Sequence, residues 1–183
     1  MCGISGFVTR DGSLSEEDLV KMTNVLEHRG PDDVGFFYNS YSNYTVGLGH
    51  RRLSILDLSE NGHQPMESTR FTMVYNGEVY NFKEIRKTLK GLGYLFRTDT
   101  DTEVVLNAYR QGGIDCLKRL TGMFAFGLWD ETKECLFLAR DRLGIKPLFY
   151  YYVSGALFFA SELKALMGLS AFPRDLDHDA VPL

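Results

Sequence analysis

The 183-residue sequence contains no Lys/Arg cluster longer than a pair, no apolar stretch near the roughly 20 residues a membrane helix needs, and only three cysteines. With 20 basic residues against 24 acidic ones, the net charge is -4, which argues against nucleic acid or an anionic membrane as partner. Cys2, Cys116 and Cys135 are odd in number and irregularly spaced, so a disulfide framework is not expected and a reducing compartment is. No Cys pair has zinc-ligand spacing, no His pair has HExxH spacing, and "DTDTE" lacks the glycine and terminal glutamate of a calcium loop. No metal site is predicted. The opening residues lack the basic segment and long apolar run of a signal peptide, and a cytoplasmic location is expected.

What is present is a core. With 44% apolar and 13% aromatic residues, a chain of this length folds as one domain. "SLSEEDLVKMTNVLEHRGPDD" reads as a helix opened by a Ser15/Asp18 capping box and ended at Gly30-Pro31. A second helix starts near Asn81, with Glu84 at the box position. A third follows "TDTDTE" with Val104, Val105, Ala108 and Tyr109 as its buried stripe, and Gly112-Gly113 breaks it before a short turn. Strand candidates are "GISGFVT", "YTVGLGH", "RRLSILDL" and "FTMVYNGEVY", then "GMFAFGLWD", "CLFLARD", "LFYYYVS" and "ALFFASE", the last four reading as a meander. Covered sheets beside three helices predict an α+β layered domain over residues 2–170. Residues 171–183 lose periodicity and read as a tail or the start of a linker.

Four positions along the chain, one of them the pair Asn76-Gly77, carry alternative readings. Cys2 is either a small buried hydrophobe or, if Met1 is removed, a thiol and a free α-amine in one residue, able to serve as nucleophile and base together. Asn76-Gly77 is either a type I′ hairpin turn or a source of fixed N–H donors for a developing oxyanion. Arg52 is either a surface ion pair or a bidentate clamp for a carboxylate. Asp101 is either a helix N-cap or a partner for an ammonium group.

Nine ordered blocks, "MCGISGF", "HRGPDDVG", "GHRRLSILDLS", "GHQPM", "NGEVYN", "TDTDTEVVL", "GMFAFGLWD", "ARDRLGIKPLFY" and "SELKAL", span nearly the whole chain. Through them the sequence resembles the class II glutamine amidotransferases, in particular the glutaminase half of glutamine-hydrolysing asparagine synthetases. The resemblance implies the four-layer αββα sandwich of N-terminal nucleophile hydrolases. It also implies Cys2 as nucleophile with its own amine as base, and Asn76 with the backbone of Gly77 as oxyanion donors. The glutamine carboxylate would be held by Arg52 and its ammonium by Asp101 near Glu78, with Leu53, Ile55 and Leu56 lining the pocket. Cys116 and Cys135 match no catalytic block and are read as packing residues. His28, His50 and His63 are read as structural, and "ARDRLGIKP" as structural or domain-contacting.

The expected partners are L-glutamine and a C-terminal synthetase domain, for which no "SGGxDS"-like loop occurs in these residues. No cofactor is expected in this domain, with ATP and magnesium confined to the synthetase domain. A homodimer is compatible with this reading. The rival readings are the glutaminase domain of another class II enzyme with a different acceptor, and a non-catalytic module if Met1 is retained.

Overall fold

Period-two alternation sorts the strand residues into inward and outward sets, and the layers of the molecule follow from that sorting. The computed structural model describes residues 1–10, 12–54, 60–170 and 172–174. One sheet has five strands: β1 (Gly3–Thr9), β2 (Asp33–Ser40), β3 (Thr45–Arg52), β8 (Phe149–Val153) and β9 (Ala156–Ala160), in the order β2-β3-β1-β9-β8. The other has four: β4 (Met66–Ser68), β5 (Phe71–Val79), β6 (Gly122–Asp130) and β7 (Cys135–Arg140), in chain order. Every pairing is antiparallel. The helices are α1 (Glu16–Asn24), α2 (Phe82–Gly91), α3 (Asp101–Gly112) and the short α4 (Leu163–Met167).

Three apolar clusters fill three interlayer spaces. Phe7 and Phe158 meet Leu19, Met22 and Leu166 between the five-stranded sheet and α1 with α4. Ile4, Val46, Leu48, Val74, Ala125, Trp129 and Phe159 fill the space between the sheets. Met73, Tyr75, Phe124 and Phe126 pack on Leu89, Val104 and Val105 of α2 and α3. Adjacent residues such as Phe158 and Phe159, or Val74 and Tyr75, therefore face opposite layers, as the pleat requires. The result is the four-layer αββα sandwich. Phe159 is fully buried, and side chains added at Gly6 or Gly127 would each come within 2.5 Å of its ring, so both strands keep glycine there. Truncating Phe159 to Ala would cost about 3–5 kcal/mol.

Several expected elements are redrawn. The Ser15/Asp18 capping box is present, but the α-helix stops at Asn24 and only a 3-10 turn, Glu27–Arg29, continues toward Gly30. Asn81 precedes α2 without capping it, because its side chain donates to the Arg119 carbonyl (2.9 Å) and accepts from the Thr121 N–H (3.0 Å). α3 begins inside "TDTDTE" rather than after it, and Gly113 ends it at φ 57°, a conformation glycine adopts without strain. The "RRLSILDL" strand ends at Arg52 among the described residues, and its 55–58 portion lies outside them. The four-strand meander divides between the two sheets, since β6 and β7 belong to one and β8 and β9 to the other. β2 and β4 were not anticipated. Beyond residue 170, Phe172 packs edge-on against Tyr151 at 5.1 Å, and residues 171 and 175–183 lie outside the described part.

Candidate active site

Alternation also assembles the site. Ile4 of β1 points between the sheets, so Cys2, two residues earlier, starts on the same side at the sheet's end. Val46 and Leu48 of β3 point the same way, which carries His50 and Arg52 inward, and Val74 of β5 does the same for Asn76 and Glu78. The β1/β3 ladder pairs Gly3 with Arg51, which sets the start of β1 beside the end of β3. A cavity of about 100 Å³ lies there, lined by Cys2, Arg52, Leu53, Asn76, Gly77, Glu78 and Asp101 together with Met1, Gln64, Tyr75, Thr100, Thr102 and Lys146. It is small beside the roughly 300–1,000 Å³ of drug-sized ligand sites. Ile55 and Leu56 fall outside the described residues. A larger groove of about 780 Å³, between the segment around Met66 and that around Tyr94, contains none of the expected catalytic groups.

The nucleophile candidate is held by main-chain contacts. The Leu53 N–H donates to Cys2 Sγ at 3.4 Å, and the thiol lies 3.7 Å from the Leu53 carbonyl. Arg29 Nε donates to the Cys2 carbonyl (3.0 Å), while its Nη1 pairs with Glu162 (2.9 Å), which also meets His28 (2.9 Å) and Lys164 (3.2 Å). Burial pushes the Glu162 carboxyl up, but its hydrogen bonds to Arg29, His28 and Lys164 outweigh that and bring it down to about 2.

On the opposite wall, "NGE" is not a turn. It lies within the C-terminal half of β5, with Asn76 opposite Ala125 and Gly77 opposite Phe124. Glycine is required at 77 because a Cβ there would stand 2.5 Å from the Met123 carbonyl and 2.7 Å from Phe124 of β6. β4 covers β5 only from Phe71 to Met73. Farther along that edge, side chains replace the ladder: the Tyr75 N–H donates to Gln64 Oε1 (2.6 Å), its carbonyl accepts from His50 Nε2 (3.1 Å), and the Val79 N–H donates to Asp101 Oδ2 (2.9 Å). Strand N–H groups alternate in direction, so the Gly77 N–H points to this same edge, between those of Tyr75 and Val79. Asn76 Nδ2 is buried and has no hydrogen-bond partner. A buried donor left unpaired costs about 1–3 kcal/mol, which marks this amide as awaiting an acceptor.

Asp101 is the first residue of α3, and Thr100 caps the helix instead, accepting from the Glu103 N–H at 3.3 Å. The carboxylate of Asp101 takes the Tyr75 hydroxyl (2.8 Å) and the Val79 N–H on one oxygen, Oδ2. Burial raises its carboxyl above the ordinary range, against the opposing pull of those bonds and of the helix amides. Arg52 is buried rather than a surface cation, and a Cβ on Gly62 would collide with its guanidinium, so the "NGH" glycine makes room for it.

Sequence reasoning assigned no site role to Gln64, Tyr75, Arg29 or Lys146. Gln64 and Arg29 lay within the blocks "GHQPM" and "HRGPDD" that carried the resemblance. Lys146 belongs to the segment read as structural. The Asp141 carboxylate accepts N–H bonds from Phe124, Leu143, Ile145 and Lys146 (2.9–3.3 Å), curling the loop so that the buried Lys146 reaches the cavity, its Nζ 3.5 Å from Met1 Sδ. Of the other thiols, Cys116 is buried in the cluster beneath α2 and α3, where burial pushes it up to about 11, while Cys135 is half-buried at the start of β7 and also raised by burial. His28 and His63 pair with Glu162 and Asp33, and His178 lies outside the described residues.

An αββα sandwich with a cysteine entering the inter-sheet space at the start of β1, across from the unpaired Asn76 amide on the second sheet, has the fold of the N-terminal nucleophile hydrolase type. Residues 1–183 match the family model described as "Glutamine amidotransferase domain", and the chain belongs to that family. A Methanocaldococcus jannaschii protein whose name includes asparagine synthetase [glutamine-hydrolyzing] 2 is 40% identical, the match covering 100% of this chain and 38% of the relative. Asparagine synthetase [glutamine-hydrolyzing] 3 of Bacillus subtilis is 43% identical over 91% of this chain and 27% of its own length. The chain thus spans well under half of these relatives. The solved glutamine phosphoribosylpyrophosphate amidotransferase from B. subtilis shares the fold with a TM-score of 0.72 at 20% identity, covering 91% of this chain and 43% of that one.

Proposed function

We propose that this domain hydrolyses L-glutamine to L-glutamate and ammonia through a thioester on Cys2. The reading rests above all on the unpaired Asn76 amide, which shares a cavity with Cys2 inside a family of glutamine amidotransferases. While Met1 is attached, the Cys2 nitrogen is an amide, and Met1 also lines the cavity. Its removal frees an α-amine with an ordinary pKa near 7.7–8.0, suited to accept the thiol proton. The thiolate adds to the glutamine side-chain carbonyl, and the oxygen takes the developing negative charge into the Asn76 Nδ2–H and Gly77 N–H donors. Collapse breaks the C–N bond and the α-ammonium returns its proton to the leaving ammonia. Water then adds to the thioester, with the amine again as base, and glutamate leaves with the thiol restored.

Arg52 binds the substrate α-carboxylate and Asp101 its α-ammonium, a pair of charges that selects a free amino acid. Leu53 and Glu78 complete the described lining of the pocket. By analogy with the names of the longer relatives, the ammonia passes to a synthetase domain that forms asparagine; the use of ATP and magnesium there is carried over from the family resemblance alone. The deciding experiment measures glutamate release from L-glutamine by the chain with Met1 confirmed absent by mass, beside Cys2→Ala. Release at background in Cys2→Ala is expected. Equal release by both proteins, or none by the processed chain, overturns the reading.

A further inference from the structure

We infer that His50 is a positioning residue that sets the oxyanion donors of β5 relative to the nucleophile by bridging the gap between the two sheets. The inference rests on the glutaminase reading above. Cys2 stands on the five-stranded sheet and Asn76 with Gly77 on the four-stranded one, so their separation is an inter-sheet distance, which no ladder of backbone hydrogen bonds fixes. His50, on β3, lies two residues from Arg52 and is fully buried. Its Nε2 reaches 3.1 Å to the carbonyl of Tyr75, the residue immediately before Asn76. That carbonyl lies on the edge of β5 that β4 leaves uncovered beyond Met73.

A carbonyl can only accept, so Nε2 carries the hydrogen, and the bare Nδ1, which has no partner, is its lone-pair nitrogen. The ring is a neutral strut and not an acid or base. Burial, the largest influence, holds it down to about 3, with Tyr75 and Asp33 pulling weakly upward and Arg52 and His63 downward. It therefore stays uncharged wherever the protein is folded at ordinary pH. Tyr75 is clamped from two further directions, by Gln64 at its N–H and by Asp101 at its hydroxyl, both from its own side of the sandwich or the connecting segment. His50 supplies the link back to the sheet that carries Cys2.

The test compares His50→Phe, His50→Asn and His50→Gln in the processed chain. Phe removes the donor, Asn stops short of the carbonyl, and Gln places an amide N–H near the position of Nε2. Three readouts separate positioning from general damage: the split between kcat and KM, the affinity for the aldehyde counterpart of glutamine, which forms a tetrahedral adduct with the thiol, and the affinity for L-glutamate, which does not. His50→Phe is expected to lower kcat and aldehyde affinity together by roughly 10–100-fold, with KM and glutamate affinity within about twofold, and Gln is expected to recover most of the loss. If the Phe variant does not fold, the Asn variant reads the same ratio. Wild-type kcat in a folded Phe or Asn variant overturns the inference, as does an equal loss of glutamate and aldehyde affinity. Amide NMR adds a readout independent of turnover, since the Asn76 side-chain and Gly77 resonances must shift in the variants. Absence of glutamine hydrolysis in the wild type would sink the glutaminase reading, whereas unmoved Asn76 and Gly77 resonances would sink the role of His50 alone.

Discussion

The two sheets meet at the cavity but hold their contributions differently. On the five-stranded side, Cys2 is anchored through Arg29 to Glu162, whose further partners His28 and Lys164 are about half exposed. On the four-stranded side, Tyr75 is gripped by Gln64, His50 and Asp101, all buried. Exposed ion pairs are weak and screened by salt, whereas buried hydrogen bonds are not. On the proposed reading, the nucleophile thus sits on the more adjustable mount, whose ion cluster reaches solvent at His28 and Lys164, and the charge-stabilising donors on the fixed one. This division suits a reaction in which the sulfur forms and breaks a bond while the donors serve by not moving.

The largest effect should come from the fixed side. Asn76→Ala is expected to lower kcat about 10²–10³-fold with KM little changed, equally at low and high salt. A variant with wild-type turnover would remove the amide from the chemistry. Next, Arg52→Lys should raise KM by roughly 10–100-fold with a smaller change in kcat, because the bidentate grip on the carboxylate is lost. An unchanged KM would take Arg52 out of the pocket.

Asp101 offers a pH version of the same comparison. Its carboxyl sits above the ordinary value, and on the proposed reading the ionised form is the one that holds the substrate ammonium. KM should rise as pH falls through that raised pKa, and Asp101→Asn should carry roughly a tenfold higher KM that no longer varies with pH on the acid side. A persistent acid limb in the variant would assign it to another group.

The smallest effect is expected on the adjustable side. A carboxyl brought down to about 2 contributes stability that is present above its unfolded value near 4.5 and is lost as pH falls from there toward 2. Glu162→Gln should flatten the acid decline of the melting temperature across that window and change turnover less than about threefold at neutral pH. Parallel acid melting curves for variant and wild type would show that the cluster anchors nothing.

Much of this architecture is legible in the sequence. β1 and β6 keep the bounds their alternation predicts, as does the Ser15/Asp18 cap. What misleads is local turn chemistry overruled by long-range pairing. Asn76-Gly77 has the signature of a hairpin, but β6 pairs through it, and the glycine serves close strand packing instead. β2 escaped notice although Phe36, Phe37 and Tyr38 gave an aromatic signal, and β4, at three residues, is too short for any period. The partners of Tyr75 were hidden for a different reason. His50, Gln64 and Asp101 come from 25, 11 and 26 residues away, distances over which spacing carries no information.

The central place of β1 in its sheet has a consequence for the order of synthesis. β1 lies between β3 and β9, and the closing contacts at its start, Ser161 N–H to the Ile4 carbonyl at 2.8 Å and Ile4 N–H to Ser161 Oγ at 3.0 Å, join the beginning of the chain to a segment made some 157 residues later. A growing chain therefore keeps its N-terminus unpaired on that flank until the segment around Ser161 has left the ribosome. On the proposed reading, that interval leaves Met1 open to an aminopeptidase while the site is still incomplete, so the α-amine is freed before there is any pocket in which it could act.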